Sequence, residues 1–500
     1  MAIADPPDVA NEQAVPALID AAGARLAERA DIPKTFVRAL FARAVPEDFL
    51  LYPPGEVAAV VERAWSLLAI RRPGTSKLRF ESPAGAVTGD RLKDISVLEI
   101  VNDDMPFLVD SVMTELAERG LDVRLVVHPV FAVARDPEGR LTDFKGADFK
   151  GALPPGALRE SFIHIHVARV DDEAQRAAVV AALEQVLADI RLCVQDWRPM
   201  LGHLGEIIAD LKKSPPPLPP EEVTEAVHFL EWLLANNFTF LGIRHYKFNA
   251  DEDELEPQFE TGLGLLRERD MRVLRRGDQL VTMTAEIREF LHEPKLLFAA
   301  KSAVRSRVHR RVYMDYIGLK RFHPDGRLAG EIRIIGLFTS TAYTCSPRTI
   351  PYLRRKVDAV LKRAGFDPDG HSGKALVSVL ENYSRDELFQ IDEDTLYRFS
   401  TTILQLDERP RVRVLPRRDR FDRFVSVFVF VPRDRYDSDV RKAIGDYLAN
   451  VYKGHVSAFY PFFPEGPLVR VHFIIGRRDG ATPDPSRATL EATVRHIIRT

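Results

Sequence analysis

The order in which strand-like and helix-like segments follow one another is the feature that most limits how this chain can fold. Apolar residues fill or alternate along the segments that predict strands, and they recur at helical spacing in the segments that predict helices. Between residues 96 and 197 the order is β-α-β-β-α-β, which predicts a ferredoxin-like antiparallel sheet with both helices on one face. The segments are strand Ser96–Val101, helix Phe107–Arg119, strands Val123–Ala134 and Phe162–Val170, helix Glu173–Asp189 and strand Leu192–Trp197.

A second set of segments near the C-terminal end repeats most of this order. After a strand that begins at Arg411–Leu415, the order is β-α-β-β-α, without the closing strand of the first unit. We therefore expect the 500 residues to be the N-terminal portion of a longer protein. The segments are strand Phe424–Val431, helix Asp437–Tyr452, strands His455–Phe463 and Leu468–Ile475, and helix Arg487–Ile498.

The segment Ser214–Pro220, with the sequence SPPPLPP, is the clearest linker, because consecutive prolines favour a stiff, extended spacer. Beyond it, helices alternate with apolar strands, which predicts a mixed α+β unit. The predicted fold class is therefore α+β and multidomain, with ferredoxin-like units flanking this mixed unit. The predicted divisions are an N-terminal helical region (1–75), the first βαββαβ unit (76–213), the linker (214–220), the mixed unit (221–370), a helical connector (371–410) and the second, truncated unit (411–500).

Composition excludes several classes of protein. The 70 Lys and Arg residues and 73 Asp and Glu residues give a net charge of −3, without the basic excess of a duplex nucleic-acid-binding domain. Two cysteines, Cys193 and Cys345, are too few for a disulfide framework or a thiolate zinc cluster and favour a reducing compartment. The apolar segments are strand-sized, as at Phe424–Pro432, and Met1–Glu12 has no signal pattern. We predict a cytoplasmic protein with no nucleic-acid or membrane partner.

Motifs for cofactors and catalytic metals are incomplete in this chain. Gly262-Leu263-Gly264 is followed by Arg267 where a dinucleotide-binding turn has its third glycine. Gly365 and Gly370 have the spacing of a phosphate-binding loop but lack its lysine, and His292-Glu293 lacks the second histidine of a zinc motif. We therefore predict no catalytic, cofactor-binding or metal-binding residue within these 500 residues.

Two histidines and the two cysteines each leave a choice of interpretation. His164 and His166 alternate along a predicted strand and project to one face, which suits either a metal pair or half-buried polar side chains of a sheet. A metal there would make the chain an independent enzyme. Cys193 lies in an apolar strand segment typical of an inert core residue, and a structural role is also favoured for Cys345, which lies near Arg348.

The loop Asn102–Pro106 is the strongest candidate for a ligand site, because it joins a buried strand to the N-terminus of a helix. The free N–H groups and the dipole of such a terminus favour an anion, such as the carboxylate of an amino acid. Asp103 and Asp104 oppose a free carboxylate but suit an α-ammonium group. In the alternative interpretation, Asp104 caps the helix and Pro106 fills its first turn. We treat Asn102, Asp103, Asp104 and Pro106 as a candidate effector or subunit contact.

Two arginine-rich clusters, Arg305–Arg311 and Arg409–Arg423, also have two interpretations. Guanidinium groups at this density suit an acidic partner surface, a phosphate or a nucleotide. However, Asp419 and Asp422 lie within the second cluster and the overall charge is balanced, so ion pairs within the folded protein are favoured.

Three longer segments resemble the large-type, NAD-specific glutamate dehydrogenases of bacteria: Val101–Ser111 (VNDDMPFLVDS), Asn382–Gln390 (NYSRDELFQ) and Arg420–Tyr436 (RFDRFVSVFVFVPRDRY). The resemblance extends over the whole sequence and implies that the two βαββαβ units are ACT-type domains and the mixed unit a PAS-like domain. It also implies that the parent enzyme oxidatively deaminates L-glutamate to 2-oxoglutarate and ammonia, with NAD as hydride acceptor. The NAD-binding catalytic domain follows these units in the family, so residues 1–500 would be non-catalytic.

The resemblance leads to one main hypothesis and two alternatives. In the main one, the chain is the allosteric and oligomerising segment of a glutamate dehydrogenase, with homo-oligomer contacts through its ACT-like units and an amino-acid effector. Phe107 stands where ACT loops commonly have a small glycine, which leaves subunit contact as the alternative role of the Asn102–Pro106 loop. The chain would otherwise be a purely structural scaffold or a stand-alone, amino-acid-sensing ACT-type protein.

Overall fold

The computed structural model describes residues 9–83, 90–147, 149, 151–271, 273, 275–276, 279–280, 285–477 and 480–499. They form two compact units, the first containing Met1–Val194 and Ser306–Arg311, the second Gln195–Arg305 and Val312–Thr500. Both units combine helices with antiparallel sheets, which confirms the α+β class. The helix Trp197–Lys213, which the predicted divisions assigned to the first domain, lies in the second unit.

The first unit begins with the predicted helical region, whose apolar faces cover one face of a sheet. Phe36 and Val61 of these helices share one core with Val101 and Phe162 of the two central strands. The helices of this unit are α1 (Val9–Arg25), α2 (Lys34–Phe41), α3 (Pro46–Phe49), α4 (Pro54–Leu68), α5 (Asp90–Lys93), α6 (Leu108–Glu118) and α7 (Glu173–Gln195). The strands are β1 (Lys77–Glu81), β2 (Ile95–Asp103), β3 (Val123–Val127), β4 (Val130–Arg135), β5 (Leu141–Ala147) and β6 (Leu158–Ala168).

The sheet of the first unit has the order β1-β2-β6-β4-β5, with β3 also paired to β6. The predicted strand Leu192–Trp197 is wrong, because α7 continues through it to Gln195. The buried residues Val186, Ile190 and Cys193 keep helical spacing, so Cys193 is a helical core residue. The sheet edge beside β2, where a closing strand was expected, is filled by β1. The predicted strand Val123–Ala134 divides into β3 and β4.

The second unit begins with two helices and a five-stranded sheet. The sheet has the order β11-β12-β13-β7-β8, so β11 lies at one edge. Strands β12 and β13 pair as an antiparallel hairpin, with the sequence Pro-Asp-Gly in its turn. The elements are α8 (Trp197–Lys213), α9 (Pro220–Trp232), β7 (Phe238–Asn249), β8 (Glu254–Gly264), β9 (Arg275–Arg276), β10 (Gln279–Leu280), α10 (Ala285–His292), β11 (Leu297–Arg305), β12 (Tyr313–Phe322), β13 (Leu328–Phe338), α11 (Ser340–Thr344) and α12 (Leu353–Ala364).

The remainder of the second unit contains helices and a four-stranded sheet with the order β14-β15-β17-β16. β14, the strand predicted to begin at Arg411–Leu415, precedes the βαββα segment and fills the edge beside β15, where the predicted order had no closing strand. Among the described helices, none has both the length and the apolar character needed to cross a bilayer. The elements are α13 (His371–Glu381), α14 (Arg385–Gln390), α15 (Glu393–Glu408), β14 (Arg413–Arg418), β15 (Phe424–Pro432), α16 (Ser438–Val451), β16 (Gly454–Phe462), β17 (Leu468–Arg477) and α17 (Arg487–Ile497).

Candidate functional site

Asp103, at the end of β2, is held by two arginines. Its carboxylate accepts hydrogen bonds from Arg71 at 2.9 Å and Arg191 at 2.7 Å, and from the backbone N–H of Gly74 at 3.0 Å. Burial alone would raise the pKa of Asp103, but the hydrogen bonds from Arg191 and Arg71 outweigh it and hold the pKa below its ordinary value. Asp103 is therefore an ionised structural anchor of this loop.

Asn102 is tied to the same helix as Asp103. Its side-chain oxygen accepts a hydrogen bond from Arg191 at 2.6 Å, and its amide nitrogen donates to the Asp103 carbonyl at 3.1 Å. Because Arg191 lies on α7, both residues fix the end of β2 to that helix. The polar groups of Asn102 and Asp103 thus already form hydrogen bonds with other groups of the protein.

Asp104 and Pro106 do not begin the helix. The prediction that Asp104 caps α6 is wrong, because the residue before the helix is Phe107, which has a φ of 73° and offers no side-chain cap. Pro106 therefore precedes the first turn instead of filling it. Within the first turn of α6, Ser111 donates its hydroxyl proton to the Phe107 carbonyl at 2.6 Å. Asp104 remains an exposed residue whose N–H donates to the Arg159 carbonyl at 3.1 Å.

Asp104 lines a cavity of about 220 Å³ in the first unit. Two guanidinium-bearing residues, Arg43 and Arg159, line it together with the aromatic rings of Phe131 and Phe149. The cavity thus combines one carboxylate, two cations and apolar surface. Of the four residues predicted from the sequence, Asp104 is the one placed to meet a ligand in this cavity.

The segment Ser306–Arg311 belongs to the first unit, although it lies between two strands of the second unit in the sequence. The backbone N–H of His309 donates to the Ser111 hydroxyl at 2.8 Å, at the first turn of α6. Sequence reasoning missed this contact, because only the basic composition of the segment was visible. Its arginines form the ion pairs Arg307–Asp189 and Arg311–Glu115, at 3.4 and 3.3 Å.

The arginines of the second cluster, Arg409–Arg423, also form ion pairs within the folded protein. The acidic residues within that cluster favoured this interpretation. Arg417 and Arg423 are buried, and each binds one carboxylate with two nitrogens. Arg413 donates to Glu491 at 2.9 Å. The partners are Glu387 for Arg417 and Asp419 for Arg423.

His164 and His166 are buried in the sheet of the first unit, with their Nε2 atoms 2.8 Å apart. His166 also bonds to the Tyr52 hydroxyl at 2.8 Å, and His164 Nδ1 lies 3.3 Å from Glu99. Burial, together with the neighbouring His164, lowers the pKa of His166 well below its ordinary value. Among the described residues, no three His, Cys, Asp or Glu side chains are placed to hold a metal ion. The pair is therefore a polar, hydrogen-bonded part of the core.

The glycine motifs do not form a site for NAD. Gly264 has a φ of 59°, and a Cβ atom there would collide with the Leu241 carbonyl, so glycine is needed for the close approach of β8 to β7. Its N–H donates to Asp196 at 2.7 Å. Gly365 ends α12 in a left-handed conformation, and Gly370 precedes α13. Gly264 leads from β8 into a three-residue 3-10 helix, and Gly365 and Gly370 lie between two α-helices, so neither motif joins a strand to the N-terminus of an α-helix, which a dinucleotide phosphate requires.

Comparison with known proteins identifies the family. The family models for the ACT1 domain, helical motif 1 and the ACT2 domain of glutamate dehydrogenase match residues 36–183, 350–409 and 413–500. The NAD-specific glutamate dehydrogenase of Halomonas elongata is 36% identical over 491 residues, and that of Pseudomonas aeruginosa is 35% identical over 441. The chain belongs to the large bacterial glutamate dehydrogenase family. This confirms the resemblance inferred from the three sequence segments.

This member of the family spans less than a third of the length of these relatives. The alignments cover 95% of the chain but 30% of the Halomonas elongata protein, and 87% of the chain but 27% of the Pseudomonas aeruginosa protein. The Mycobacterium tuberculosis NAD-specific glutamate dehydrogenase is 27% identical over 379 residues, which are 22% of its length. The matched ACT1 region contains the Asn102–Pro106 loop, and the matched ACT2 region contains the four-stranded sheet.

Proposed function

We propose that this chain is the regulatory and assembly segment of an enzyme that oxidises L-glutamate to 2-oxoglutarate and ammonia with NAD. The observation that carries the proposal is the match to two ACT domains and a helical motif of glutamate dehydrogenase within less than a third of the relatives' length. The glycine motifs that do not fit NAD support placing the chemistry on other parts of the enzyme. A cytoplasmic location, with neither Cys193 nor Cys345 in a disulfide, agrees with this role.

For the finer fold, we propose two ferredoxin-like ACT units around a PAS-like unit. In each ACT unit one strand comes before the βαββα segment, β1 in the first and β14 in the second. That strand occupies the sheet edge that the last strand of a βαββαβ order would fill. The PAS-like assignment is supported by five antiparallel strands whose spatial order is second, first, fifth, fourth and third along the chain.

The assignment of the chemistry is tested by turnover. The purified 500-residue chain is expected to form no NADH from L-glutamate and NAD, whereas the longest reading frame that contains it is expected to form NADH. The measurement is the absorbance of NADH at saturating substrate, with equal molar amounts of both proteins. Glutamate-dependent NADH formation by the 500-residue chain would contradict the proposal.

For regulation, we propose that an α-amino acid binds in the cavity of about 220 Å³ in the first unit. Its ammonium group would meet Asp104, and its carboxylate would meet the guanidinium groups of Arg43 and Arg159, since charge-assisted hydrogen bonds are the strong ones. The rings of Phe131 and Phe149 would receive the side chain. Asn102 and Asp103 would hold the loop in place, and Pro106 would set its path into α6.

The effector site is tested by calorimetry with the 20 protein amino acids on the 500-residue chain. Asp104→Asn is expected to weaken binding about tenfold, the worth of one charge-assisted hydrogen bond. Asp122→Asn, which changes an exposed carboxylate of the same unit, is the matched control and should leave binding unchanged. Asp103→Ala is unsuitable because it also breaks the contacts with Arg71 and Arg191. Equal affinity of Asp104→Asn and wild type would contradict this site.

The alternative function is a structural scaffold that sets the quaternary geometry of a homo-oligomer. It is supported by the edge strand β16, on or beside which Phe459, Tyr460 and Phe463 are exposed. Aromatic side chains at a sheet edge are typical of protein contacts. The scaffold predicts self-association by light scattering without any melting shift on addition of amino acids, which separates it from the effector hypothesis.

A further inference from the structure

A cavity of about 480 Å³ lies within the second unit, beside the edge strand β11. Its apolar floor includes Leu297 and Phe298 of β11 and Phe421 from the turn between β14 and β15. The walls come from the first turns of α9 and α12, the segment before β11, and the junction of α14 and α15. Nothing in the family assignment gives this cavity a role.

Side chains close the edge of β11, so the cavity is not a groove for another strand. The backbone N–H of Leu296 donates to Glu222 at 2.7 Å, and that of Lys301 donates to Gln390 at 3.3 Å. An incoming peptide strand would need these N–H groups for its own ladder. These contacts argue against an added β-strand as the occupant of the cavity.

Several carboxylates of the cavity wall are neutralised by arginines. Because each of these acids already has a cation, it adds little negative charge to the cavity. Glu222, Asp392 and Glu393 also line the wall, and they disfavour a polyanion such as a nucleoside triphosphate. Glu293 of the same wall is paired with Lys295 at 3.4 Å. The neutralised pairs are Glu225–Arg354, Asp394–Arg363 and Asp419–Arg423.

Two cations of the wall, Arg355 and Lys356, have no carboxylate partner among the described residues, and a third, Arg420, has only a long ion pair. Lys356 is buried, and its ammonium donates to the carbonyls of Leu388, Phe389 and Ile391 at 2.9–3.1 Å, with no carboxylate within ion-pair distance among the described residues. Arg420 lies 3.6 Å from Glu293 and stacks on a phenylalanine ring at 4.4 Å. Arg355 is exposed and has no hydrogen bond or ion pair within the described part of the chain.

We propose that this cavity binds a small organic anion through a carboxylate or monophosphate head group. Arg355 and Arg420 donate hydrogen bonds to the head group, because neither guanidinium makes a side-chain hydrogen bond among the described residues and both suit planar or tetrahedral oxyanions. Arg420 would exchange its 3.6 Å ion pair with Glu293 for the ligand. Lys356 acts through its charge, since all three of its protons are already donated. The apolar body of the ligand lies on Leu297 and Phe421.

Anion binding here is coupled to protonation of Lys356. Burial and the nearby cations Arg420 and Arg417 lower the pKa of Lys356 to about 7. Glu393 acts to raise this pKa, and Lys295 acts to lower it. A bound anion favours the ammonium form and raises that pKa. Binding therefore takes up protons, and affinity should fall as the pH rises from 6 to 8.

The inference is tested on the 500-residue chain by calorimetry with succinate, adenosine 5′-monophosphate and inorganic phosphate as separate probes. We expect millimolar or tighter binding of succinate or the nucleotide at pH 6.5, weakened about tenfold by Arg355→Gln or by Arg420→Gln. The responding probe distinguishes a carboxylate from a phosphate head group. The same probe should bind more weakly at pH 8.

Arg327→Gln is the matched control, because it removes an exposed guanidinium that pairs with Asp325 in a hairpin turn. It should leave the affinity unchanged. Circular dichroism of each variant checks that it is folded, and the two arginine variants provide independent tests. Absence of heat with all three probes, binding of inorganic phosphate alone, or wild-type affinity in both Arg355→Gln and Arg420→Gln would overturn the proposal.

Discussion

Replacing Glu160 with glutamine is expected to lower the free energy of unfolding of the first unit by about 3–5 kcal/mol. Glu160 lies in β6 with no exposed surface and accepts hydrogen bonds from two equally buried arginines. Arg71 binds it at 2.7 Å, and Arg135 binds both of its oxygens at 2.6 and 2.7 Å. Glutamine keeps the shape but leaves the buried Arg135 without an anion and Arg71 with Asp103 alone.

Urea denaturation followed by the fluorescence of Trp65 measures this effect, in a background where Trp197 and Trp232 of the second unit are phenylalanine. The matched control is Asp20→Asn, which breaks an exposed ion pair with Arg38 in the same unit and should change stability little. If both variants lost equally little stability, the buried triad would not be the anchor of this unit.

The contacts of Asp103 show how much of the candidate site could be predicted from the sequence. The sequence correctly predicted that the Asn102–Pro106 segment leads from a strand into a helix, because the apolar spacing of both elements is local, although Asn102 and Asp103 themselves belong to β2. It did not reveal that Asp103 is held by Arg71 and Arg191, which lie 32 and 88 residues away along the chain. Pairings at such separation leave no periodic signal, so a free aspartate and an anchored one look the same.

The errors in the fold have a similar origin. A six-residue apolar segment such as Leu192–Trp197 suits a strand or a helix equally, and only its continuity with the buried residues of α7 decides. The edge strands β1 and β14 come before the units that they complete. β1 was not predicted, and the strand predicted at Arg411–Leu415, which is β14, was not recognised as the strand that completes the sheet. The cavity of the second unit was also unpredictable, because its wall combines residues from Glu222 to Phe421.

Replacing Glu387 with glutamine should destabilise the second unit by about 3–5 kcal/mol. Glu387 of α14 is buried and binds the buried Arg417 of β14 with both oxygens. It also accepts the hydroxyl proton of Ser426 on β15 at 2.8 Å. The carboxylate therefore joins the helical connector to the four-stranded sheet, and its loss leaves Arg417 buried without an anion. Urea denaturation followed by Trp197 and Trp232, in a Trp65→Phe background, measures the change.

The pH dependence separates the loss of this charge from a general loss of packing. Burial raises the pKa of Glu387, but Arg417 outweighs it and holds the pKa below the ordinary 4.5. The stability that Glu387 contributes is thus complete above pH 4.5 and is lost as the pH falls through its folded pKa, because the unfolded chain binds the proton first. The difference in free energy of unfolding between wild type and Glu387→Gln should therefore become smaller below pH 4.5. A difference that stays constant below pH 4.5 would contradict an ionised Glu387. The control is Asp446→Asn, which breaks an exposed ion pair with Lys442 and should change the free energy of unfolding little above or below pH 4.5.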